Sequence, residues 1–189
     1  MAKALKVWVV DDDQSVRWVL EKALRQAGME TRSFERAEHL LDAIESDSPD
    51  VLITDVRMPG MSGLALLERL HGRLPGLPII VITAHSDLES AVAAYQGGAF
   101  EYLPKPFDID DAVQLVKKAA RENGSAEDDS EAAASGIGSI IGQAPAMQEF
   151  FRSIGRLANS SMTVLLTGES GTGKELVSQP LHQHSPLAD

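Results

Sequence analysis

Carboxylates, a hydroxyl and an ammonium recur at the ends of apolar runs in this sequence. Asp11, Asp12 and Asp13 close the run Val7 to Val10, and Asp55 closes Val51 to Thr54. Thr83 follows Ile79 to Ile82, and Lys105 follows Phe100 to Leu103 between two prolines. Carboxylates in one crevice repel each other unless a hard cation lies among them, and two or three carboxylates with remaining waters suit magnesium. A carboxylate can also attack phosphorus to give an acyl phosphate. Such a transfer asks mainly for positioning and neutralisation of charge, which magnesium, Lys105 and Thr83 could share. Taken singly, an Asp after a strand is more often a helix cap than a catalyst, and Asp13 is expected to be only a cap. A Lys before Pro is usually just exposed. Compatible chemistry at four strand ends at once favours a site.

The elements that must bring these ends together are legible in the periodicity. Strands are expected at Val7–Val10, Glu30–Phe34, Val51–Thr54, Ile79–Ile82 and Phe100–Leu103. Three of them are continuously apolar, as strands covered on both faces are. Between them Val16, Val19, Leu20, Ala23, Leu24 and Ala27 keep helical spacing, and so do Ala37, Leu40, Leu41 and Ile44. Leu64, Leu67 and Leu70 suggest a third helix, Leu88 to Tyr95 a fourth, and Ile109 to Ala120 a fifth. Ser86 with Glu89 reads as a capping box, and Asp108 as a cap of the fifth helix. Alternating strands and helices predict an α/β fold, a doubly wound five-stranded parallel sheet. Its site lies outside the carboxyl ends of the strands.

The pattern fails from Glu122 to Ser139, where ENGSAEDDSEAAASGIGS is small, acidic and without an apolar stripe. We read residues 1–121 as one domain, 122–139 as an acidic flexible linker, and 140–189 as the start of another. Met147, Phe150, Phe151, Ile154 and Leu157 predict a helix, and Thr163 to Thr167 a strand, followed at once by GESGTGKE. The glycines and Lys174 of that stretch match a phosphate-cradling loop (Gly168, Gly171, Gly173, Lys174). Glu175 stands where Ser or Thr usually follows, and only 15 residues remain after Lys174. Pro180 puts the following helix in doubt. The strand lacks neighbours, so residues after about 122 are expected to be poorly ordered alone or packed against a partner. His182 and His184 are read as surface residues, not a metal pair.

Bulk properties narrow the classes. Apolar residues make up 43% and charged residues 24% of the 189, an ordinary globular balance. No run of about 18 apolar residues predicts a membrane span. MAKALKVWVVDDD is not a signal peptide. Cysteine is absent, which excludes disulfides and fits a cytoplasmic location. The net charge of −11, with no basic cluster, argues against direct DNA binding.

VVDDD, TDVRMPGMSG, ITAH and YLPKPF, in this order over about residues 5 to 121, resemble the signature of response-regulator receiver domains, which have the flavodoxin-like, CheY-like fold. The resemblance implies that Asp55 is the phospho-acceptor. It implies magnesium held by Asp11, Asp12, Asp55 and the backbone carbonyl of Arg57, with Thr83 and Lys105 on the phosphoryl group. It implies a cis Lys105–Pro106 bond that aims the lysine inward, and a loop shaped by Pro59, Gly60 and Gly63. Longer stretches, WVVDDDQSVRWVLEKAL and ITAHSDLESAVAAYQGGAFEYLPKPFDIDDAV among them, are similar to the nitrogen regulatory (NtrC) family of sigma-54-dependent activators. IIGQAPAMQEFFRSIGRLANSSMTVLLTGESGTGKELV resembles the start of that family's AAA+ ATPase domain.

The expected partners are then a sensor histidine kinase and, for a longer parent, its own AAA+ domain, ATP and sigma-54 RNA polymerase; a receiver dimer is also admitted. Phosphorylation is expected to draw Thr83 inward and change the surface from Ser86 to Tyr95, with His85 and Tyr102 as switch residues, although Tyr102 fits plain core equally well. Alternatives are a P-loop NTPase fragment with residual nucleotide binding, a haloacid-dehalogenase-type phosphatase and a redox flavodoxin. Arg57 stands where that phosphatase needs a second Asp, and acids at the first strand end would repel a flavin phosphate.

Overall fold

The computed structural model describes residues 4–84, 88–122, 150, 153–154, 156–157, 162–169 and 174–183. Five strands, β1 (Lys6–Val10), β2 (Glu30–Phe34), β3 (Val51–Asp55), β4 (Ile79–Thr83) and β5 (Glu101–Pro104), pair in parallel in the order β2-β1-β3-β4-β5. The helices between and after them are α1 (Gln14–Gln26), α2 (Ala37–Ile44), α3 (Gly63–Arg73), α4 (Leu88–Gln96) and α5 (Ile109–Glu122). The order reverses direction between β1 and β3, which opens a crevice at their carboxyl ends. Parallel register keeps the ends level, with Asp55 beside Ile82 and Thr83 beside Pro104.

Both faces of the sheet are covered, which explains the unbroken apolar strands. Val7, Val9, Ile53 and Ile80 face one way, onto Leu20 and Leu24 of α1 and Val113 and Val116 of α5. Trp8, Val10, Leu52 and Val81 face the other way, onto Leu40 of α2, Leu66 and Leu70 of α3 and Val92 of α4. Helix starts follow their caps. Asp13 accepts from the Ser15 N–H at 2.7 Å, as expected of a cap, and Asp108 accepts from the Asp110 N–H at 2.8 Å. Ser62 does the same for α3 through the Ala65 N–H at 3.2 Å, a cap missed in the sequence. Ser86, at the start of the expected capping box, lies outside the described residues.

Residues 150, 153, 154, 156 and 157 are helical, within the helix expected there. The strand expected at 163–167 is not formed; residues 162–169 have no regular structure and Leu165 is 85% exposed. A strand is stabilised by a ladder, and none of the described strands pairs with this stretch. The doubted helix does form: α6 (Lys174–Gln183) runs through Pro180. Proline removes one backbone bond there, while burial of Val177 and packing of Leu181 against the core hold the helix on both sides of it. Ile154 and Val177 join the same apolar cluster as residues of α2, α3 and α4, with Phe150, Leu166 and Leu181 packed against it.

Candidate functional site

Asp55 is the last residue of β3 and Asp11 the first after β1, and both are buried, at 6% and 1% exposure. Thr83 ends β4 and is 1% exposed. Lys105 directly follows β5, and its bond to the next residue, Pro106, is cis. Its Nζ donates to Asp11 Oδ2 at 2.8 Å and lies 3.0 Å from Asp55 Oδ1. The second approach pairs charges but misses hydrogen-bond direction, so Asp55 Oδ1 is a buried oxygen that accepts no hydrogen bond. The other oxygen, Oδ2, accepts from the Arg57 N–H at 3.0 Å.

Burial pushes the Asp11 carboxyl above its ordinary value, and bonds from Lys105 and the Asp13 N–H offset this only in part. Burial would also lower Lys105, but its contacts with Asp11 and Asp55 outweigh that and hold the ammonium above its ordinary value. Lys105 is thus the resident counter-charge of two carboxylates.

The backbone around Asp55 is fixed by close packing. Gly63 opens α3 against it: a Cβ there would meet the Asp55 carbonyl oxygen at 1.9 Å and Thr54 Oγ1 at 2.9 Å. Gly60 has φ +85°, which turns the loop, and Glu38 of α2 accepts from the Met61 N–H at 3.2 Å. Arg17 of α1 donates to the carbonyls of Asp11 at 2.6 Å and Asp12 at 3.1 Å. Arg17 and Glu38 were missed in the sequence. Each is a charged residue on an amphipathic helix, where a solvated face is the ordinary reading.

The fold therefore brings Asp11, Asp55 and Lys105 together, with Thr83 at the neighbouring strand end. Asp12 is exposed, and no group of three His, Cys, Asp or Glu that could hold a metal is gathered among the described residues. The donors that are buried do fit magnesium in kind: they are hard oxygens, and Asp55 Oδ1 accepts no hydrogen bond. Tyr102 is wholly buried, as plain core is. His85, Gly171 and Gly173 lie outside the described residues. Lys174 Nζ donates to the carbonyls of its own loop, Gly168 at 2.8 Å and Glu169 at 2.5 Å.

A doubly wound domain with two buried aspartates and a lysine at its switch point belongs to the class of α/β domains that place an acidic pocket at the strand ends. The chain is a member of the response regulator receiver domain family, which it matches over residues 7–117. Residues 140–189 match the Sigma-54 interaction domain. Over 183 residues the chain is 57% identical to the DNA-binding transcriptional regulator NtrC of Escherichia coli (strain K12), covering 96% of this chain and 39% of that protein. It thus spans about two fifths of the length of such curated relatives. The solution structure of the apo receiver domain of nitrogen regulatory protein C is 58% identical, with TM-score 0.58 over 65% of this chain and 98% of that one. The beryllofluoride-activated form of that receiver, also 58% identical, has TM-score 0.56 over the same shares. No helix among the described residues is long and apolar enough to cross a membrane.

Proposed function

We propose that this chain is the phosphoryl-accepting part of a two-component response regulator and that Asp55 takes the phosphoryl group. The observation that carries the proposal is Asp55 Oδ1, buried at the strand end, without a hydrogen bond and 3.0 Å from Lys105 Nζ. Asp55 attacks phosphorus through this oxygen while the Arg57 N–H holds Oδ2. The P–N bond of a phosphohistidine donor breaks as the new P–O bond forms, and the departing imidazole nitrogen takes a proton from solvent. Lys105 offsets the charge that Asp55 gains, and the Thr83 hydroxyl donates to a phosphoryl oxygen. Magnesium held by Asp11, Asp12, Asp55 and the Arg57 carbonyl supplies further positive charge when bound. Loaded Asp55 then shifts Thr83 and repacks α4 against β5.

On this reading residues 1–121 are the receiver, 122–139 a linker and 140–189 the first part of an AAA+ domain. The donor is a sensor histidine kinase. The longer protein would use ATP to act on sigma-54 RNA polymerase in nitrogen regulation, in the cytoplasm, and this chain would not turn over ATP at AAA+ rates.

The deciding experiment is incubation with magnesium and acetyl phosphate followed by intact mass. One added phosphoryl group is expected, lost in Asp55→Asn and on removal of magnesium by chelation. Equal labelling of Asp55→Asn would overturn the assignment.

A further inference from the structure

Glu101 lies on β5 in a run that reads as apolar, yet it is a buried carboxylate at 2% exposure. Such a group is tolerated only when its oxygens are occupied by donors. Three donors meet it. The Tyr102 N–H donates to Oε1 at 3.2 Å, the Tyr95 hydroxyl of α4 donates to the same oxygen, and the Arg156 guanidinium donates to Oε2. Arg156 also bonds the Tyr95 side chain, so the three side chains form a closed set. Its cation comes from 55 residues further along the chain, in the sigma-54 segment. The neighbouring Ile154, 2% exposed, lies in the apolar cluster that contains Tyr95 and Tyr102.

We propose that Tyr95 and Glu101 form a docking site for a guanidinium on the α4–β5 edge of the receiver, that Arg156 of the same chain is its occupant, and that this contact makes the position of α4 and the docking of the sigma-54 segment interdependent. The chemistry selects the occupant. A planar fork can serve a carboxylate and a phenol oxygen together, which a point charge such as an ammonium does less well. Glu101 is held by the strand and Tyr95 by the helix, so the fork bridges two elements of the receiver. Displacing Tyr95 removes one arm of the site. By linkage, a seated Arg156 favours the α4 position that presents Tyr95, by the same factor. The docking needs no phosphoryl chemistry and stands or falls apart from the role of Asp55.

The test is hydrogen exchange of the full chain, read on residues 150–157. Arg156 is half exposed, so its replacement leaves the receiver core intact. Arg156→Ala is expected to speed exchange of this stretch by about tenfold or more, with β1 and β3 unchanged. Arg156→Lys is expected to recover part of the protection, and Tyr95→Phe to lose part of it. Adding Glu101→Gln to Arg156→Ala should give no further loss, because both remove one interaction. Unchanged exchange in Arg156→Ala overturns the proposal. So do losses that add in the double variant, since they would place the two residues in separate contacts.

Discussion

At Asp11 two forces oppose each other. Burial favours the neutral acid, while the Lys105 ammonium at 2.8 Å favours the carboxylate, and burial prevails in raising its pKa. The folded state therefore holds the Asp11 proton more tightly than the unfolded chain does. Stability from this group falls as pH rises from the ordinary 3.8 through the raised value, and above that the penalty is complete. Asp11→Asn should then gain stability relative to the parent chain as pH rises from 3.5 to 7, in urea unfolding. The gain should vanish as pH falls below the ordinary carboxylate value; a gain equal at pH 3.5 and pH 7 would show that charge is not its cause. Lys105→Met removes the counter-charge from both carboxylates and should cost about 3 kcal/mol, the effect of stranding a buried partner. Adding magnesium should recover part of that loss in Lys105→Met, since a ligand that binds only the folded state stabilises it. The placement of Asp11, Asp55, Thr83 and Lys105 at the strand ends was legible in the sequence because each follows or closes an apolar run. Arg17 was not, because its guanidinium binds main-chain carbonyls of Asp11 and Asp12, and carbonyls leave no mark on residue type.

Elements place these residues through contacts of backbone on backbone. The start of α3 lies so near the end of β3 that Gly63 leaves no room for a methyl group, with the Asp55 carbonyl oxygen 1.9 Å from where a Cβ would stand. Gly63→Ala should move α3 or the acceptor strand and cost about 1–3 kcal/mol in thermal or urea unfolding. Labelling by acetyl phosphate should slow with it, and an unchanged labelling rate would show that the packing of α3 does not set the acceptor geometry. The five strands and five helices were readable because the apolar period runs along each of them, and at α1 and α5 the caps Asp13 and Asp108 agree with it. The expectation for residues 163–167 failed for the opposite reason: β-rich composition describes a strand's surface but supplies no neighbour. Pro180 misled in the other direction. Its lost backbone bond is a local cost, and the buried Val177 outweighs it through contacts distant in sequence. Pro180→Ala should restore that bond and slow amide exchange at residues 181–183 several-fold.

Across the whole molecule, one apolar cluster joins α4, β5, Ile154 and Val177, while α1 and α5 pack in the other. A change at Asp55 has a short physical path to the first cluster. Thr83 ends β4 beside Pro104, and β5 carries Tyr102 and Glu101 just before it. On the proposed function, beryllofluoride with magnesium should shift amide resonances across residues 88–102 and leave α1 and β2 nearly unchanged; still resonances in 88–102 would end the α4 switch. If seated Arg156 favours the resting position of α4, loading Asp55 must work against that preference. Arg156→Ala should then bind beryllofluoride more tightly than the parent chain, by a few-fold, the ordinary scale of coupling between sites. The same factor should separate the exchange of residues 150–157 with and without beryllofluoride in the parent chain, because coupling is reciprocal. Asp55→Asn should abolish the response in both chains. Equal affinity of the parent and Arg156→Ala for beryllofluoride would mean that α4 repacks without disturbing Tyr95, leaving the docked segment outside the switch.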